Sequence, residues 1–390
     1  MKVLLVPTPP DAEGATRSGV EKYLYELARA APPEVEYVFL DPPQRTDGQM
    51  LASGAAPAAM PCRRVLPSVA LMLGYVRETR RLARRMRPFR KRVDLIHTVA
   101  AGCEVHNIAA RLAGFRPVLS TVQTLPGMGP LALHWVRRLV ERISFRCADC
   151  HIVVSDATYE GWRDRVRLSR DHVVTIFNGM QPPDFTGLDR EAYRRQFGVH
   201  PGTVVFGICA RLHPMKGHRF LIEGFARLRA DVGAAQAARL LLLIAGEGVE
   251  RTVIERLVRE LGLGASVRLL GHRSDPCPFI ASLDVHALPS VEVETLGYAN
   301  IEAMFAGVPT VVSDFGGMKE IVRGSGGGRI VPAGDAGALC AALRHYLDHP
   351  EAREADGARA KAYAQRHLTS RVMADATLAV YRQLVARAGG

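Results

Sequence analysis

The sequence is 390 residues long, and 48% of its residues are apolar and 23% charged. A chain of this size exceeds one ordinary hydrophobic core, and this composition excludes a disordered or fibrous protein. The net charge of +12 is concentrated, because residues 77–92 contain nine basic residues and one glutamate. The rest of the chain is nearly balanced, which argues against a nucleic-acid-binding protein.

Short apolar runs alternate with helix-periodic segments almost throughout the chain. In the first half the runs are VLLVP, VEYVFL, DLIHTV, PVLSTVQT, HIVVS and VVTIFNG. In the second half they are TVVFGICA, RLLLLIAG, SVRLLG, DVHALPS, PTVVSD and GRIVP. Nearly continuous apolar strands between helices are typical of parallel sheets covered on both faces. The pattern therefore predicts an α/β protein with two Rossmann-like, doubly wound parallel-sheet domains.

A polar, proline-containing stretch at residues 178–190, NGMQPPDFTGLDR, predicts the domain boundary. We expect an N-terminal domain over residues 1–182 and a C-terminal domain over 183–369, with a final helix at 370–390 that returns to the first domain. No apolar run reaches membrane-spanning length, and the chain starts directly on the strand-like MKVLLVP. We therefore expect a cytoplasmic protein, or one at the cytoplasmic face of a membrane.

The first half contains a strongly basic helix, predicted over residues 69–92. Helical spacing puts five arginines on one face: Arg77, Arg80, Arg81, Arg84 and Arg85. It puts six apolar residues on the opposite face: Met72, Tyr75, Val76, Leu82, Ala83 and Met86. One interpretation is a solvated basic face, and the other is contact with an anionic membrane, worth up to about 1 kcal/mol per basic residue. Since no aromatic residues interleave with the arginines, nucleic acid is disfavoured.

The segment ETLGYANIEAM, residues 294–304, predicts a buried helix from about Thr295, because small and apolar residues occupy nearly every face. Glu302 has no cation three or four residues away, so its burial predicts a ligand as its partner. Eight helical residues rise about 12 Å, which would place Glu294 and Glu302 at two points of one elongated ligand. The N–H groups at the helix start would face an anion between them.

Two cations follow the first strand of the second half. Arg211 lies just past the strand end and Lys216 five residues later, where ligands of open α/β sheets bind. Both are placed to neutralise a diphosphate. The alternative is a solvated basic loop.

Four segments of the second half together resemble the C-terminal half of retaining glycosyltransferases of family 4: GICARLHPMKGHRFLIEGFARL, LLLIAGEG, VRLLGHR and PSVEVETLGYANIEAMFAGVPTVVSDFGGMKEIV. The resemblance implies the GT-B fold, in which two Rossmann-like domains face a central cleft. It implies transfer of a hexosyl unit from a nucleotide diphosphate sugar, most often a UDP-sugar, to an acceptor hydroxyl. It also implies that no metal or other cofactor is needed, and the chain contains no Asp-x-Asp motif.

The same resemblance implies roles for individual residues. Arg211 and Lys216 would bind the diphosphate, Glu294 the donor-sugar hydroxyls, and Glu302 the ribose. The remaining donor-site residues implied are Gly246, Gly248, His272, Arg273, Thr295 and Leu296.

The N-terminal half resembles the family more loosely. Gly19 is expected close to the donor phosphates, and Gln123 stands where many relatives place a histidine beside the reacting sugar. His97 is a further acceptor-side residue to test, although a lone histidine at a strand end is more often structural.

The basic helix favours a membrane-associated glycolipid or envelope saccharide as the acceptor. It resembles the helix by which phosphatidylinositol mannosyltransferases sit on membranes. Two alternatives remain open: a small natural-product acceptor, or a sugar-nucleotide epimerase or phosphorylase with the same fold. A nicotinamide-dependent oxidoreductase is disfavoured because VPTPPDAEGATRSG lacks the GxGxxG turn.

Overall fold

The computed structural model of the protein describes residues 1–7, 19–40, 44–46, 49–51, 67–100, 105–126, 134–292 and 294–389. The chain divides into two compact units. Unit 1 contains Met1–Met180 and Ser370–Gly390, and unit 2 contains Gln181–Thr369.

Unit 1 is built on a six-stranded sheet whose strands all pair in parallel. The strands are β1 (Lys2–Pro7), β2 (Glu36–Phe39), β5 (Leu95–Ala100), β6 (Val118–Val122), β7 (Cys150–Val153) and β8 (Val173–Thr175). Their order across the sheet is β2-β1-β5-β6-β7-β8. A separate antiparallel pair is formed by β3 (Gln44–Thr46) and β4 (Gln49–Leu51).

Within the described residues of this unit, five helices accompany the strands along the chain: α1 (Gly19–Arg29), α2 (Pro67–Met86), α3 (His106–Leu112), α4 (His134–Arg146) and α5 (Asp156–Val166). Alternate residues of β1 face opposite sides of the sheet, as strand geometry requires. Val3 and Leu5 pack with α1, whereas Leu4 and Val6 lie in a second cluster with α2 and α3. The sheet is therefore covered on both faces.

Unit 2 repeats this plan with a second six-stranded parallel sheet. Its strands are β9 (Val204–Cys209), β10 (Leu240–Ala245), β11 (Val267–Gly271), β12 (Val285–Leu288), β13 (Thr310–Ser313) and β14 (Gly328–Val331), in the order β11-β10-β9-β12-β13-β14. Its helices are α6 (Arg190–Arg195), α7 (His218–Asp231), α8 (Ala234–Ala237), α9 (Arg251–Glu260), α10 (Pro276–Ala281), α11 (Tyr298–Ala306), α12 (Met318–Ser325), α13 (Ala336–Asp348) and α14 (Pro350–His367).

The last helix, α15 (Ser370–Gly389), belongs to unit 1. Its residues Met373, Leu378 and Tyr381 lie in the same buried cluster as α1 and the first strand. Burial of these large side chains stabilises the helix on the unit, at roughly 2 kcal/mol for each side chain fully removed from water.

Helix starts differ in a way that bears on function. The helices α5, α6 and α13 are capped by Ser155, Asp189 and Asp335, whose side-chain oxygens accept a backbone N–H at 3.1, 2.9 and 2.9 Å. By contrast, α7 and α11 begin after glycines and have neither a side-chain cap nor an acidic residue in the first turn. Their first N–H groups are therefore not neutralised locally.

Candidate functional site

The strand order of unit 2 reverses direction between β9 and β12, which are neighbours in the sheet. Ligands of open α/β sheets bind outside the carboxyl ends of the strands at such a point. The loop after β9 carries Arg211 and Lys216, and the loop after β12 carries Glu294. The topology thus brings together three of the residues that the sequence predicts for one site.

The centre of this site is an ion pair between Lys216 Nζ and Glu294 Oε2. Both side chains are largely buried, and the Ser290 hydroxyl donates to the same carboxylate oxygen at 3.2 Å. A backbone hydrogen bond also joins the two loops, since the Val291 N–H donates to the Met215 carbonyl at 2.8 Å. The loop pair is therefore held by polar contacts before any ligand binds.

Two helix N-termini begin beside this ion pair. Lys216 is followed by Gly217, the residue before α7, and Glu294 lies three residues before Gly297, which precedes α11. Uncapped helix starts carry partial positive charge, and with Lys216 and Arg211 they make this edge of the sheet attractive to an anion. The arrangement suits a group that offers both anionic oxygens and hydroxyls.

Gly246 and Gly248 allow neighbouring loops to approach closely at the same edge. Their φ angles are 147° and 157°, and a Cβ on either would overlap the carbonyl of Ala210 or Leu212 in the loop after β9. Hydrogen bonds of 2.9 and 3.0 Å link Leu212 to Glu247 and Glu250. In the structure these glycines shape the loop that carries Arg211 and Lys216.

The other residues predicted to bind the sugar-nucleotide donor differ in solvent exposure. Arg211 is exposed, and among the described residues it forms no ion pair. His272 is also exposed, Thr295 is half-buried and Leu296 is buried.

Arg273 is committed to a local cluster. It makes two hydrogen bonds of 2.8 and 2.9 Å to Asp275, donates to the Tyr193 hydroxyl at 3.1 Å and stacks over Phe197. The hydrogen bonds that Arg273 donates to the Asp275 carboxylate hold the pKa of Arg273 above its usual value. Its side chain thus links Tyr193 of α6 to Asp275, the residue before α10.

The expected position of the helix in ETLGYANIEAM is wrong at its start. The helix α11 begins at Tyr298, and Glu294 lies in the preceding loop. The rise of about 12 Å along one helix therefore does not describe the separation of Glu294 and Glu302. Gly297 has a non-helical backbone, with φ 65° and ψ 100°, so the helix begins only after it.

Glu302 is buried in α11, as expected. It has an interaction within the protein, so its burial does not by itself require a ligand as its partner. Helical spacing considers only residues within one helix, and it cannot detect contacts from elsewhere in the fold.

Gln123 is held in unit 1 by a reciprocal pair of amide hydrogen bonds. Its Nε2 donates to Asn178 Oδ1 at 3.3 Å, and Asn178 Nδ2 donates to Gln123 Oε1 at 2.9 Å. Both side chains are buried. Asn178, which sequence reasoning missed, follows the last strand of this sheet; its only sequence signal is the Asn-Gly pair at 178–179.

His97 lies in the interior of unit 1 and not at an accessible site. Its ring nitrogens are 2.7 Å from the Tyr381 hydroxyl and 2.6 Å from the Thr121 hydroxyl. Complete burial lowers the pKa of His97 to about 3, so its ring is neutral at physiological pH. His97 therefore connects α15 to the sheet, and neither of its ring nitrogens is left to contact an acceptor substrate.

Gly19 begins α1, and no described residue lies within 4 Å of the position where its Cβ would be. The loop before it, residues 8–18, lies outside the described residues. The structure thus gives no contact for Gly19 beyond its place at the helix start.

The basic helix differs from the sequence expectation in two respects. It ends at Met86 and is followed by a 3-10 turn at Arg87–Phe89, so it is shorter than residues 69–92. The five predicted arginines are all exposed, and Leu82, Ala83 and Met86 are buried. Met72 and Val76, however, are exposed beside the arginines, because the contact with the sheet is centred nearer Thr79 and Leu82. No described helix is both long and apolar enough to span a bilayer.

Two family descriptions match the chain, one in each half. Residues 189–363 match "Glycosyl transferases group 1", and residues 17–182 match "Glycosyltransferase Family 4". The chain belongs to glycosyltransferase family 4. Its two Rossmann-like units are those of the GT-B fold.

Curated relatives of this family 4 chain include enzymes of lipid and envelope glycan synthesis. A D-inositol 3-phosphate glycosyltransferase of Stackebrandtia nassauensis is 32% identical over 155 residues, which are 38% of this chain and 34% of the relative. A GDP-mannose-dependent phosphatidylinositol monomannoside mannosyltransferase of Corynebacterium glutamicum is 30% identical over 48% of this chain and 49% of its own length. The lipopolysaccharide core glycosyltransferase LpsE of Rhizobium meliloti is 27% identical over 52% and 55%. The matched segments thus span only about a third to a half of these relatives.

Solved structures match over nearly the whole chain. Anabaena HepE in complex with UDP-glucose has a TM-score of 0.75 at 20% identity, covering 98% of this chain and 100% of HepE. Sucrose-phosphate synthase from Thermosynechococcus elongatus has a TM-score of 0.76 at 21% identity, covering 99% and 100%. At these identities the likeness establishes the fold alone.

Proposed function

We propose that this protein transfers a hexosyl unit from a nucleotide diphosphate sugar to an acceptor hydroxyl, with retention of anomeric configuration. The observation that carries the proposal is the Lys216–Glu294 ion pair beside the uncapped starts of α7 and α11, at the switch point of the unit 2 sheet. A sugar nucleotide offers this edge a diphosphate and sugar hydroxyls together.

The proposed donor contacts follow from charge and exposure. Arg211 is exposed and lies on the loop that also holds Lys216. Together with the helix starts, these cations stabilise the negative charge that grows on the diphosphate as it leaves, which is where preorganised electrostatics act most strongly. Glu294 binds sugar hydroxyls through its remaining acceptor capacity, and Glu302 contacts the ribose.

Uridine diphosphate is the proposed nucleotide part of the donor. The solved structures of HepE contain UDP and UDP-glucose, which supports this choice. One curated relative is instead named as GDP-mannose-dependent, so guanosine donors form the second arm of any test.

We do not assign Glu294 as a covalent nucleophile. Its carboxylate is ion-paired with Lys216 and accepts from Ser290, which leaves it less nucleophilic than a free carboxylate. In the proposed step the acceptor oxygen bonds to the anomeric carbon from the side on which the diphosphate leaves. The bond from that carbon to the diphosphate oxygen breaks, and the hydroxyl proton passes to the diphosphate. The step consumes no redox equivalent and, in this proposal, no metal ion.

The proposed acceptor is a glycolipid or envelope saccharide. Relatives named for phosphatidylinositol mannoside and lipopolysaccharide core synthesis support this class. The exposed arginines of α2 support a location at the anionic, cytoplasmic face of a membrane, where such acceptors are found.

Proton NMR of the purified protein with UDP-glucose, UDP-N-acetylglucosamine or GDP-mannose and acceptor lipids tests the proposal. We expect the first product to carry the anomeric configuration of the donor, at a rate that excess EDTA does not change. A first product of inverted configuration would contradict retention. A requirement for inorganic phosphate would instead indicate a phosphorylase, and conversion of the sugar nucleotide without acceptor an epimerase.

A further inference from the structure

Large exposed apolar side chains are concentrated on one face of unit 1. Of the twelve such side chains among the described residues, seven lie on α2, α3 and α4: Met72, Leu73, Val76, Leu112, Trp135, Leu139 and Ile143. The inner sides of these three helices meet in one buried cluster on the same face of the sheet. Single exposed apolar residues need no explanation, whereas a group on adjacent helices marks an interaction surface.

The helix α4 carries the clearest part of this surface. Trp135, Leu139 and Ile143 recur every four residues and are 60%, 45% and 43% exposed. Residues four apart lie on one helical face. The opposite face packs into unit 1 through Glu141 and Ser144, both of which are fully buried. The rotation of α4 is therefore fixed, and its apolar stripe points away from the unit.

Arginines accompany the stripe at the same spacing: Arg138, Arg142 and Arg146. The only acidic residue of α4, Glu141, is fully buried and pairs with Arg137 and Arg165 at 3.0 and 2.6 Å, so it does not neutralise them. The pKa of Arg142 is lowered, first by desolvation and then by the charges of Arg138, Arg167 and Arg146. An anionic surface would reduce the electrostatic repulsion among these arginines.

The helix α2 continues the surface with the same chemistry. Leu73 and Val76 are exposed, and a surface depression joins them to Arg77, Arg80, Arg81, Arg84 and Arg85. Glu78 lies 3.8 Å from Arg81 and offsets one of these charges. Apolar side chains thus stand directly beside cationic ones on both helices.

We propose that α4 is a membrane-insertion element: Trp135, Leu139 and Ile143 enter the interfacial region of an anionic bilayer, and Arg138, Arg142 and Arg146 contact lipid phosphates. We call these six residues the α4 ridge. The inference builds on the membrane location proposed above, and its test does not depend on glycosyl transfer. Apolar side chains flanked by arginines without exposed acids are typical of helices lying in a membrane interface, and tryptophan is enriched at that depth. A nucleic acid would make no use of exposed leucine and isoleucine, and an acidic protein partner is a separate outcome of the test.

Tryptophan fluorescence gives a direct readout, because the chain contains two tryptophans, Trp135 and Trp162. Trp162 is 1% exposed and donates to the Thr124 carbonyl, so it serves as an internal reference. Vesicles of phosphatidylcholine and phosphatidylglycerol are prepared with and without bromine on the acyl chains. We expect brominated anionic vesicles to quench the wild type and to leave Trp135→Phe unquenched. Equal quenching of both proteins, or of neither, would overturn the proposal.

Vesicle sedimentation supplies a second arm with a matched control. The double substitution L139E/I143E adds two charges to the α4 ridge, and V249E/V253E adds two at unit 2 side chains that are 79% and 45% exposed. We expect partition to anionic vesicles to fall at least tenfold for the first and less than twofold for the second. R146Q should weaken partition about fivefold, as expected for one lost basic contact.

The protein without lipid is also sedimented at several concentrations. All residues changed are exposed, so the melting temperatures should stay close to that of the wild type. Unchanged partition of L139E/I143E, or equal binding to neutral and anionic vesicles, would overturn the proposal. A wild-type dimer that L139E/I143E dissociates would also overturn it, because the ridge would then be an interface between two copies.

Discussion

Lys216 and Glu294 form an ion pair between the loops that leave β9 and β12, and the Ser290 hydroxyl donates to the same carboxylate oxygen. The pair fixes both side chains at the edge of the unit 2 sheet before a ligand is bound. It also means that Lys216 has two tasks in the proposed site, holding Glu294 and attracting a diphosphate.

Lys216→Met should therefore lower both stability and nucleotide affinity. The substitution leaves the largely buried Glu294 carboxylate without its cation, which we expect to cost about 2–3 kcal/mol of the free energy of unfolding. The double variant K216M/E294Q should recover most of that loss, since the unpaired charge is gone. Urea denaturation measures the free energy of unfolding of the single and double variants. Purely additive effects of the two substitutions would show that the pair is not coupled.

Gly246→Ala should disturb the site through the backbone. The added Cβ would overlap the Ala210 carbonyl at a φ of 147°, so the loop carrying Arg211 and Lys216 must shift. We expect a cost of about 2 kcal/mol or more in thermal unfolding, together with weaker UDP binding.

Gly264→Ala is the matched control for this substitution. Gly264 has open space around its Cβ position and no positive φ, so we expect a change of less than about 0.5 kcal/mol. Equal effects of the two substitutions would mean that loop packing at Gly246 contributes neither to stability nor to UDP binding.

The amide pair of Gln123 and Asn178 should behave as one unit in a double-mutant cycle. Either alanine substitution leaves a buried amide unsatisfied, at a cost of about 1–3 kcal/mol. The double variant Q123A/N178A should lose clearly less than the sum of the two, because no orphaned amide remains. Additive losses in urea denaturation would contradict the reciprocal pairing.

Unit 1 should lose stability in mild acid through His97. Its pKa is lowered to about 3 by burial, whereas an unfolded histidine titrates near 6.5. Below pH 6.5 the unfolded chain takes up a proton that the folded chain refuses, so the free energy of unfolding falls by up to about 1.4 kcal/mol per pH unit until the folded pKa is reached.

Calorimetric melting between pH 7.5 and 5 measures this slope. His97→Gln should flatten it relative to the wild type. The other buried histidines keep part of the slope, since burial lowers the pKa of His106 and His151 in unit 1 to about 4 as well. A wild-type melting temperature that is constant from pH 7.5 to 5 would contradict the prediction.

The fold was predictable from the sequence because its signal is local. The run RLLLLIAG becomes β10, whose six residues are all buried, and similar runs gave the other central strands of two parallel sheets. Such periodicity depends only on neighbouring residues and on which faces are covered.

The contacts that define the candidate site were less accessible to sequence reasoning. Lys216 and Glu294 are 78 residues apart, and their ion pair depends on two loops meeting where β9 and β12 are neighbours. The start of α11 was misplaced because Gly297 takes a non-helical backbone conformation, which the pattern of apolar residues does not reveal. Exposure of Trp135 likewise depends on the rotation of α4, which its packing on the sheet decides.

Calorimetric titration of UDP into the protein tests directly whether the donor nucleotide binds at this edge of unit 2. We expect saturable binding to the wild type, at least tenfold weaker binding to Arg211→Met and Lys216→Met, and unchanged binding to Arg256→Met, which removes an exposed arginine of α9. Titrations of GDP and ADP show which nucleotide base the site prefers. Absence of binding by all three nucleotides, or equal affinity in all four proteins, would contradict the assignment of the donor site to this edge of unit 2.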